Sequence, residues 1–237
     1  MNEVIQLLKG GLIVSCQITD PKGHFDPDNP INGPTMMALT ARSAEVGGAC
    51  GLRVDGVKDI SAVKRMSSLP IIGIYKMDIP GYEVRITPTI DSVVELVKAG
   101  AEIVAVDATD REHPGKLNGA DFIKHIKRVT DATIMADVSN EEEGVAAAGA
   151  GADIVATTLA GYTEYTRSIQ KPDFELVTAL ANRLSVPVIC EGGISSPEQA
   201  REALERGAHA VVVGTMIINV KRITQHYVRV IRKSSSK

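Results

Sequence analysis

One phrase recurs three times in this chain and constrains its fold more than any other feature. Each copy has a glycine and an alanine after a helical pattern, then one polar residue and a short run of mostly branched residues. The copies begin at Gly100, Gly151 and Gly207. A glycine just past a helix supplies the left-handed residue that ends it, and an uninterrupted branched run is typical of a strand buried on both faces. The repeat therefore predicts helix–strand units of a parallel sheet.

Five further apolar segments extend the pattern to eight predicted strands. The strands begin near residues 12, 50, 70, 102, 132, 153, 187 and 210. Helical patterns cover residues 36–46, 60–66, 90–98, 121–129, 141–148, 173–184 and 197–206, and a short helix is expected near the N-terminus. Eight strands alternating with helices predict an α/β fold, a (β/α)8 TIM barrel. A doubly wound open sheet is the alternative, but it more often has fewer strands, and no Gly-x-Gly-x-x-Gly follows the first strand.

The composition fits one packed domain and argues against several classes of protein. Apolar residues make up 44% of the 237 residues, no linker divides them, and residues 232–237 are expected to form a solvated tail. The net charge is −3, aromatic residues are 3% and Trp is absent, which argues against a nucleic-acid groove or a base-stacking surface. No apolar stretch approaches the ~20 residues of a membrane helix. Three cysteines without metal-like spacing suit buried thiols in a reducing cytoplasm.

Polar side chains follow the predicted strands, at the face where barrels of this kind carry their chemistry. They are Gln17, Arg53, Asp55, Lys76, Asp107, Asp137, Thr157, Thr158, Glu191 and, after the last strand, Gly214 and Thr215. One such residue alone is usually a solvated loop charge, whereas a ring of them over an apolar floor indicates an active site. If Gln17 and Glu191 point to the barrel axis, Cys16 and Cys190 point outward, which argues against cysteine catalysis.

A phosphate site is predicted at the last two strands. Gly192 and Gly193 lead to a helix that begins after Ser196, and Gly214 and Thr215 follow the eighth strand. Loops at these two places commonly bind phosphate in this fold, because glycines let backbone N–H groups approach the anion. Plain tight turns are the alternative interpretation.

Lys76 is the candidate base. It follows an apolar run with no adjacent acid, and partial burial would lower its pKa, which suits either a proton-transfer base or a Schiff-base nucleophile. A structural ion pair with Glu191 or Asp107 is the third interpretation. No cluster has convincing metal spacing, and the Pro- and Gly-rich segment 18–34 is expected to be a long loop over the barrel mouth. The residues thus indicate a phosphosugar-type barrel enzyme that uses proton transfer.

The strand ends resemble the N-acetylmannosamine-6-phosphate 2-epimerase family. The resemblance covers residues from about 10 to 220 and lies in residues 13–17, 51–54, 69–76, 86–89, 107–109, 135–139, 157–163 and 187–192. Lys76 together with Cys190-Glu191-Gly192 is the most specific combination. The segment 18–34 departs from the family by looking longer, and Gly193 replaces a larger polar residue of several members.

The resemblance implies reversible epimerisation at C2 of N-acetylmannosamine 6-phosphate, giving N-acetylglucosamine 6-phosphate, in sialic acid breakdown. Lys76 would move the C2 proton and Glu191 would assist as acid/base. Gln17, Arg53 and Asp137 would position the sugar. A small-molecule phosphosugar and a second copy of the chain, in a homodimer, are the implied partners. A Schiff-base aldolase or lyase using Lys76, and a phosphosugar-binding barrel without turnover, are the competing hypotheses.

Overall fold

Eight parallel strands form the centre of the molecule. The computed structural model describes residues 2–20 and 23–234. The strands are β1 (Leu12–Cys16), β2 (Gly51–Asp55), β3 (Ile71–Ile74), β4 (Ile103–Asp107), β5 (Thr133–Asp137), β6 (Ile154–Ala156), β7 (Val188–Glu191) and β8 (Ala210–Val213). They pair in sequence order, and β8 pairs with β1 to close the sheet. The predicted (β/α)8 barrel is confirmed.

In the described residues, the first eight helices lie close to the places that the sequence predicts, and two further helices at the C-terminal end were not predicted. They are α1 (Glu3–Leu7), α2 (Pro34–Val46), α3 (Val57–Lys64), α4 (Ile90–Ala99), α5 (Gly119–Val129), α6 (Glu141–Gly149), α7 (Phe174–Arg183), α8 (Pro197–Glu205), α9 (Thr215–Ile218) and α10 (Val220–Ser234). The three repeat glycines, Gly100, Gly151 and Gly207, have φ angles of 104°, 103° and 100°, which confirms their left-handed role after a helix. No helix of the described residues is both long and apolar enough to cross a membrane.

The C-terminal helix α10 is the main element that the sequence analysis missed. It includes residues 232–234, which were expected to lie in a solvated tail, while residues 235–237 lie outside the described part of the chain. Its apolar residues recur at helical spacing among charged ones, and all of them are exposed except Ile223, which is partly buried. This periodicity is a helix signal in the sequence that was not used to predict the element.

Strand alternation sorts the side chains into an inner and an outer core. Ile103, Ala105, Met135 and Ile189 belong to the cluster inside the barrel, with Ile5 of α1 in the same cluster. Their neighbours along the strands pack against the helices, and Cys16 and Cys190 lie in that outer layer as predicted. Continuing the inner positions toward the carboxyl ends of β4, β5 and β7 leads to Asp107, Asp137 and Glu191. Because side chains alternate along each strand, these polar side chains point inward together at the carboxyl ends of the strands.

The contact between α5 and the loop after β4 yields a stability prediction. A Cβ atom added at Gly119 would lie 2.3 Å from the carbonyl carbon of Ala108, which is backbone and has little room to move. We expect Gly119→Ala to lower the free energy of unfolding in urea by about 2–3 kcal/mol or more. Gly149→Ala, also in a helix but with nothing within 4 Å, is the control and should gain about 0.5–1 kcal/mol. Equal effects of the two substitutions would contradict this account of the packing.

Candidate active site

A cavity of about 440 Å³ opens at the carboxyl ends of the strands. The predicted site residues that line it are Gln17, Arg53, Lys76, Glu191, Gly192, Gly193, Gly214 and Thr215. Asp137 does not line it, because this carboxylate is fully buried behind Arg53. Thr19, Gly23 and His24 also line the cavity, so part of the segment 18–34 lies over the barrel mouth as predicted.

Arg53 lies at the base of the cavity between two carboxylates. Its side chain is 1% exposed, and it donates from Nη1 and Nη2 to the two oxygens of Asp137 at 3.2 and 2.6 Å. Nη1 also lies 3.1 Å from Oε2 of Glu191. Burial alone would lower the pKa of Arg53, but the charges of Asp137 and Glu191 raise it above its usual range. The guanidinium is therefore a permanent positive charge, held in place by a bidentate pair.

Asp137 is held from a second side by a hydroxyl group. Thr158, which does line the cavity, donates from Oγ1 to Oδ1 of Asp137 at 2.6 Å. With Arg53 and Thr158 both bonded to it, the Asp137 carboxylate fixes two groups that face the cavity.

Glu191 is the carboxyl group with the most strongly perturbed acidity in the cavity. Burial raises its pKa to about 7, helped by the negative charge of Asp137, although Arg53 and Lys76 oppose the shift. The distance between Glu191 and Arg53 is that of an ion pair, but their alignment is not that of a hydrogen bond. Glu191 is therefore poised to gain or lose a proton near neutral pH.

Three buried side-chain atoms of the described residues have no hydrogen-bond partner. They are Oε1 of Gln17, Nε of Arg53 and Oε2 of Glu191, and all three residues line the cavity. The other end of the Gln17 amide donates to Oγ of Ser15 at 2.8 Å, which fixes its orientation. Buried polar atoms without partners are rare in native proteins and mark places where a polar ligand binds. Here the atoms of Gln17 and Glu191 are acceptors, and the atom of Arg53 is a donor.

Lys76 enters the same cavity from the end of β3. Glu191 pairs with Arg53, and Asp107 pairs with Arg111. In the described part of the chain, Lys76 therefore does not form the alternative structural ion pair with Glu191 or Asp107. Burial lowers the pKa of Lys76, and the positive charges of Arg53 and Arg85 act in the same direction against the opposing charge of Asp55. A lysine in this environment gives up its proton more easily than an exposed one, as a general base must.

Three arginines in the cavity were not predicted as site residues. Arg111 donates to Asp107 at 2.6 Å, Arg85 is paired with Asp78, and Arg222 donates to Oγ1 of Thr215 at 3.3 Å. All three line the cavity. The i,i+4 spacing of Asp107 and Arg111 is a weak signal for one of them. Arg85 lies in an irregular loop and Arg222 on α10, which the sequence analysis did not predict.

Different structural reasons favour glycine at two positions of the predicted phosphate site. Gly193 has a φ of 78°, and a Cβ there would lie 2.4 Å from Cβ of Lys171, so a larger residue does not fit in this arrangement. Gly214 approaches Ser15, whose Cβ would be 3.1 Å away from an added Cβ. Thr215 and Arg222 place a hydroxyl and a guanidinium beside these glycines. Together, these residues present backbone groups, a hydroxyl group and a positive charge with which an anion can interact.

The cysteines have packing roles. Burial raises the pKa values of Cys16 and Cys190 to about 12, so these thiols stay protonated and unreactive. Cys50 is only half-buried, in contrast to the fully buried thiol expected, and donates to the Leu12 carbonyl oxygen at 3.3 Å. None of the three lines the cavity.

Comparison with known proteins assigns the chain to a family. The sequence profile of a family described as "Putative N-acetylmannosamine-6-phosphate epimerase" matches residues 37–233. A relative of the corresponding name from Caldanaerobacter subterraneus subsp. tengcongensis is 44% identical over 232 residues, which are 98% of this chain and 95% of the relative. The chain belongs to this epimerase family. A relative from Clostridioides difficile, with 39% identity over 96% of this chain and 99% of its own length, has the same name.

Solved structures of similar proteins agree with this family. The N-acetylmannosamine-6-phosphate 2-epimerase from Clostridium perfringens has a TM-score of 0.88 at 39% identity, covering 97% of this chain and 96% of that one. A thiamine phosphate pyrophosphorylase from Pyrococcus furiosus has a TM-score of 0.58 at 18% identity, over 90% of this chain and 88% of that one, and shares the fold alone.

The acidity of Glu191 predicts how stability depends on pH. Because burial raises its pKa from 4.5 to about 7, the folded chain keeps this proton where the unfolded chain has lost it. The folded state then binds more protons in this window, so stability decreases as the pH rises through it. The quantity to follow is the free energy of unfolding of the wild type minus that of Glu191→Gln. We expect this difference to decrease by on the order of 3 kcal/mol between about pH 4.5 and pH 8. Urea titrations of both proteins across this range measure the difference, and parallel pH profiles would refute it.

Proposed function

We propose that this chain interconverts N-acetyl-D-mannosamine 6-phosphate and N-acetyl-D-glucosamine 6-phosphate by removing and returning the proton at C2, in sialic acid and amino-sugar breakdown. The observation that carries the proposal is that Lys76, with a lowered pKa, and Glu191, with a pKa of about 7, line one cavity with the buried Arg53. The names of the family and its relatives supply the substrate. The enzyme is a cofactor-independent isomerase.

The reaction needs a base, a site for negative charge and a proton donor. Lys76 in its neutral form takes the proton from C2 of the open-chain sugar, whose C–H bond is weakened by the neighbouring C1 carbonyl. The electron pair moves onto the carbonyl oxygen, and the charge of Arg53 stabilises the resulting enolate. Glu191 acts as acid/base on the sugar oxygens. If the Lys76 ammonium returns the proton to the other face of C2, that carbon is inverted and Lys76 is neutral again. If a second acid supplies the proton, Lys76 and that acid must afterwards exchange protons with solvent to restore the enzyme.

The remaining residues position the substrate. Gln17 and Arg53 present buried polar atoms to the sugar, and Asp137 fixes the orientation of Arg53. Gly192, Gly193, Gly214 and Thr215 bind the phosphate, with the positive charge of Arg222 beside them. A phosphate at this end would leave the sugar between Lys76 and Glu191, because both groups of residues line the same cavity.

Proton exchange in deuterated water tests the proposal. The wild type with N-acetylmannosamine 6-phosphate should give N-acetylglucosamine 6-phosphate carrying deuterium at C2, observed by proton NMR. Lys76→Met and Glu191→Gln should each slow this reaction about 10²- to 10⁴-fold, the usual contribution of a general acid or base. Unphosphorylated N-acetylmannosamine should react much more slowly, because it lacks the anion.

Three outcomes would contradict the proposal. If the wild type gives no product and no deuterium exchange, this substrate is excluded. Borohydride trapping of a sugar on Lys76 would favour the Schiff-base aldolase or lyase, since proton transfer forms no covalent adduct. A Lys76→Met protein that keeps full function would favour a binding barrel without turnover.

The proposed partner of the chain is a second copy, forming a homodimer in the cytoplasm. On α10 the apolar side chains of Tyr227, Val228, Val230 and Ile231 are exposed, with exposed fractions from 38% to 64%. Neighbouring apolar groups of this size are typical of protein interfaces. Sedimentation equilibrium at micromolar concentration should give the mass of two chains, and a stable monomer would disprove the dimer.

A further inference from the structure

The loop between β1 and α2 contacts the candidate base through one carbonyl group. Nζ of Lys76 and Nη1 of Arg85 each donate to the oxygen of Gly23 at 3.3 Å. Asp55, Arg53, Arg85 and Glu191 are the charged groups that act on Lys76 from β2, the loop after β3, and β7. The loop thus supplies the acceptor to which the Lys76 ammonium donates.

The same loop is anchored at the start of α10 by two polar pairs. Nζ of Lys221 lies 3.0 Å from each carboxylate oxygen of Asp26, whose residue is 7% exposed. Nδ2 of Asn29 donates to Oδ1 of Asn219 at 3.1 Å, and both residues are 2% exposed. Displacing the loop would break the ion pair of Asp26 and the hydrogen bond between Asn29 and Asn219, both made by largely buried groups, which favours this one position.

We propose that these two pairs make the loop 23–33 a positioning device for Lys76, with Lys221 and Asn219 as positioning residues of the reaction. This inference rests on the proposed function. A lysine side chain has four rotatable bonds, so a nitrogen that must reach C2 needs a fixed partner. A neutral amine can donate one N–H to the Gly23 carbonyl and still offer its lone pair to the substrate proton. The loop that the sequence analysis singled out thereby has a role in orienting the base.

Lys221→Met is the test, because it removes the charge that holds Asp26. We expect kcat to fall about 10- to 100-fold, the size of effect produced by a misplaced catalytic group, with little change in KM. Lys221→Arg, which keeps the charge, should restore most of kcat. Lys124→Met is the matched control, since it breaks an exposed lysine–aspartate pair of similar length, 2.9 Å, and should leave kcat unchanged.

A second readout follows Lys76 without any turnover. Limited acetylation with acetic anhydride, quantified at Lys76 by peptide mass spectrometry, should be several-fold faster in Lys221→Met than in the wild type, Lys221→Arg or Lys124→Met. This arm still reports on the loop if the wild type does not epimerise the sugar, so failure of the proposed function and failure of this inference are distinguishable. If Lys221→Met does not fold, Asp26→Asn removes the same ion pair with a side chain of the same shape.

One result would overturn the inference. If Lys221→Met or Asp26→Asn lowers the melting temperature while kcat and the acetylation rate of Lys76 stay at wild-type values, the loop anchors have a structural role alone.

Discussion

The burial of one guanidinium between two carboxylates is the constraint on which the rest of the site depends. Arg53 comes from β2, Asp137 from β5 and Glu191 from β7, so the three charges meet only because the sheet closes. Removing one partner from such a buried group typically costs about 3–5 kcal/mol, because the other charge is left without compensation. The cluster therefore ties the stability of the barrel to the chemistry at its mouth.

The same cluster separates the roles of its two carboxyl groups. Asp137 receives hydrogen bonds from Arg53 and Thr158, whereas Glu191 has an ion pair of poorer alignment and a pKa of about 7. On the other side of Arg53, burial lowers the pKa of Lys76. An acid with a raised pKa and a base with a lowered one approach each other in acidity. Glu191 therefore keeps a proton that an exposed carboxyl group would lose, and Lys76 gives up a proton more readily than an exposed lysine does.

Much of this arrangement could be predicted from the sequence because it depends on local pattern. The glycine–alanine repeat predicts helix ends and strand starts, and strand alternation predicts that Glu191 faces inward when Cys190 faces out. The pairing of Arg53 with Asp137 joins residues 84 positions apart, and no local pattern contains that information. The resemblance implies that Asp137 helps to position the sugar, and the structure places its carboxylate against Arg53 rather than on the cavity wall. Arg222 was missed although Val220, Ile223, Tyr227, Val230 and Ile231 recur at helical spacing, because this periodicity beyond the last strand was not used to predict a helix.

The anchors of the β1–α2 loop lie almost a full chain length apart, since Asp26 pairs with a lysine 195 residues later. Chains emerge from the ribosome N-terminus first, so the loop and Lys76 are made long before Lys221. The closing strand β8 also precedes this lysine in the chain. Only eight positions separate the end of β8 from this lysine, so the strand that closes the barrel and the residue that anchors the loop become available almost together. The order of synthesis makes the alignment of the base one of the last steps in forming the site.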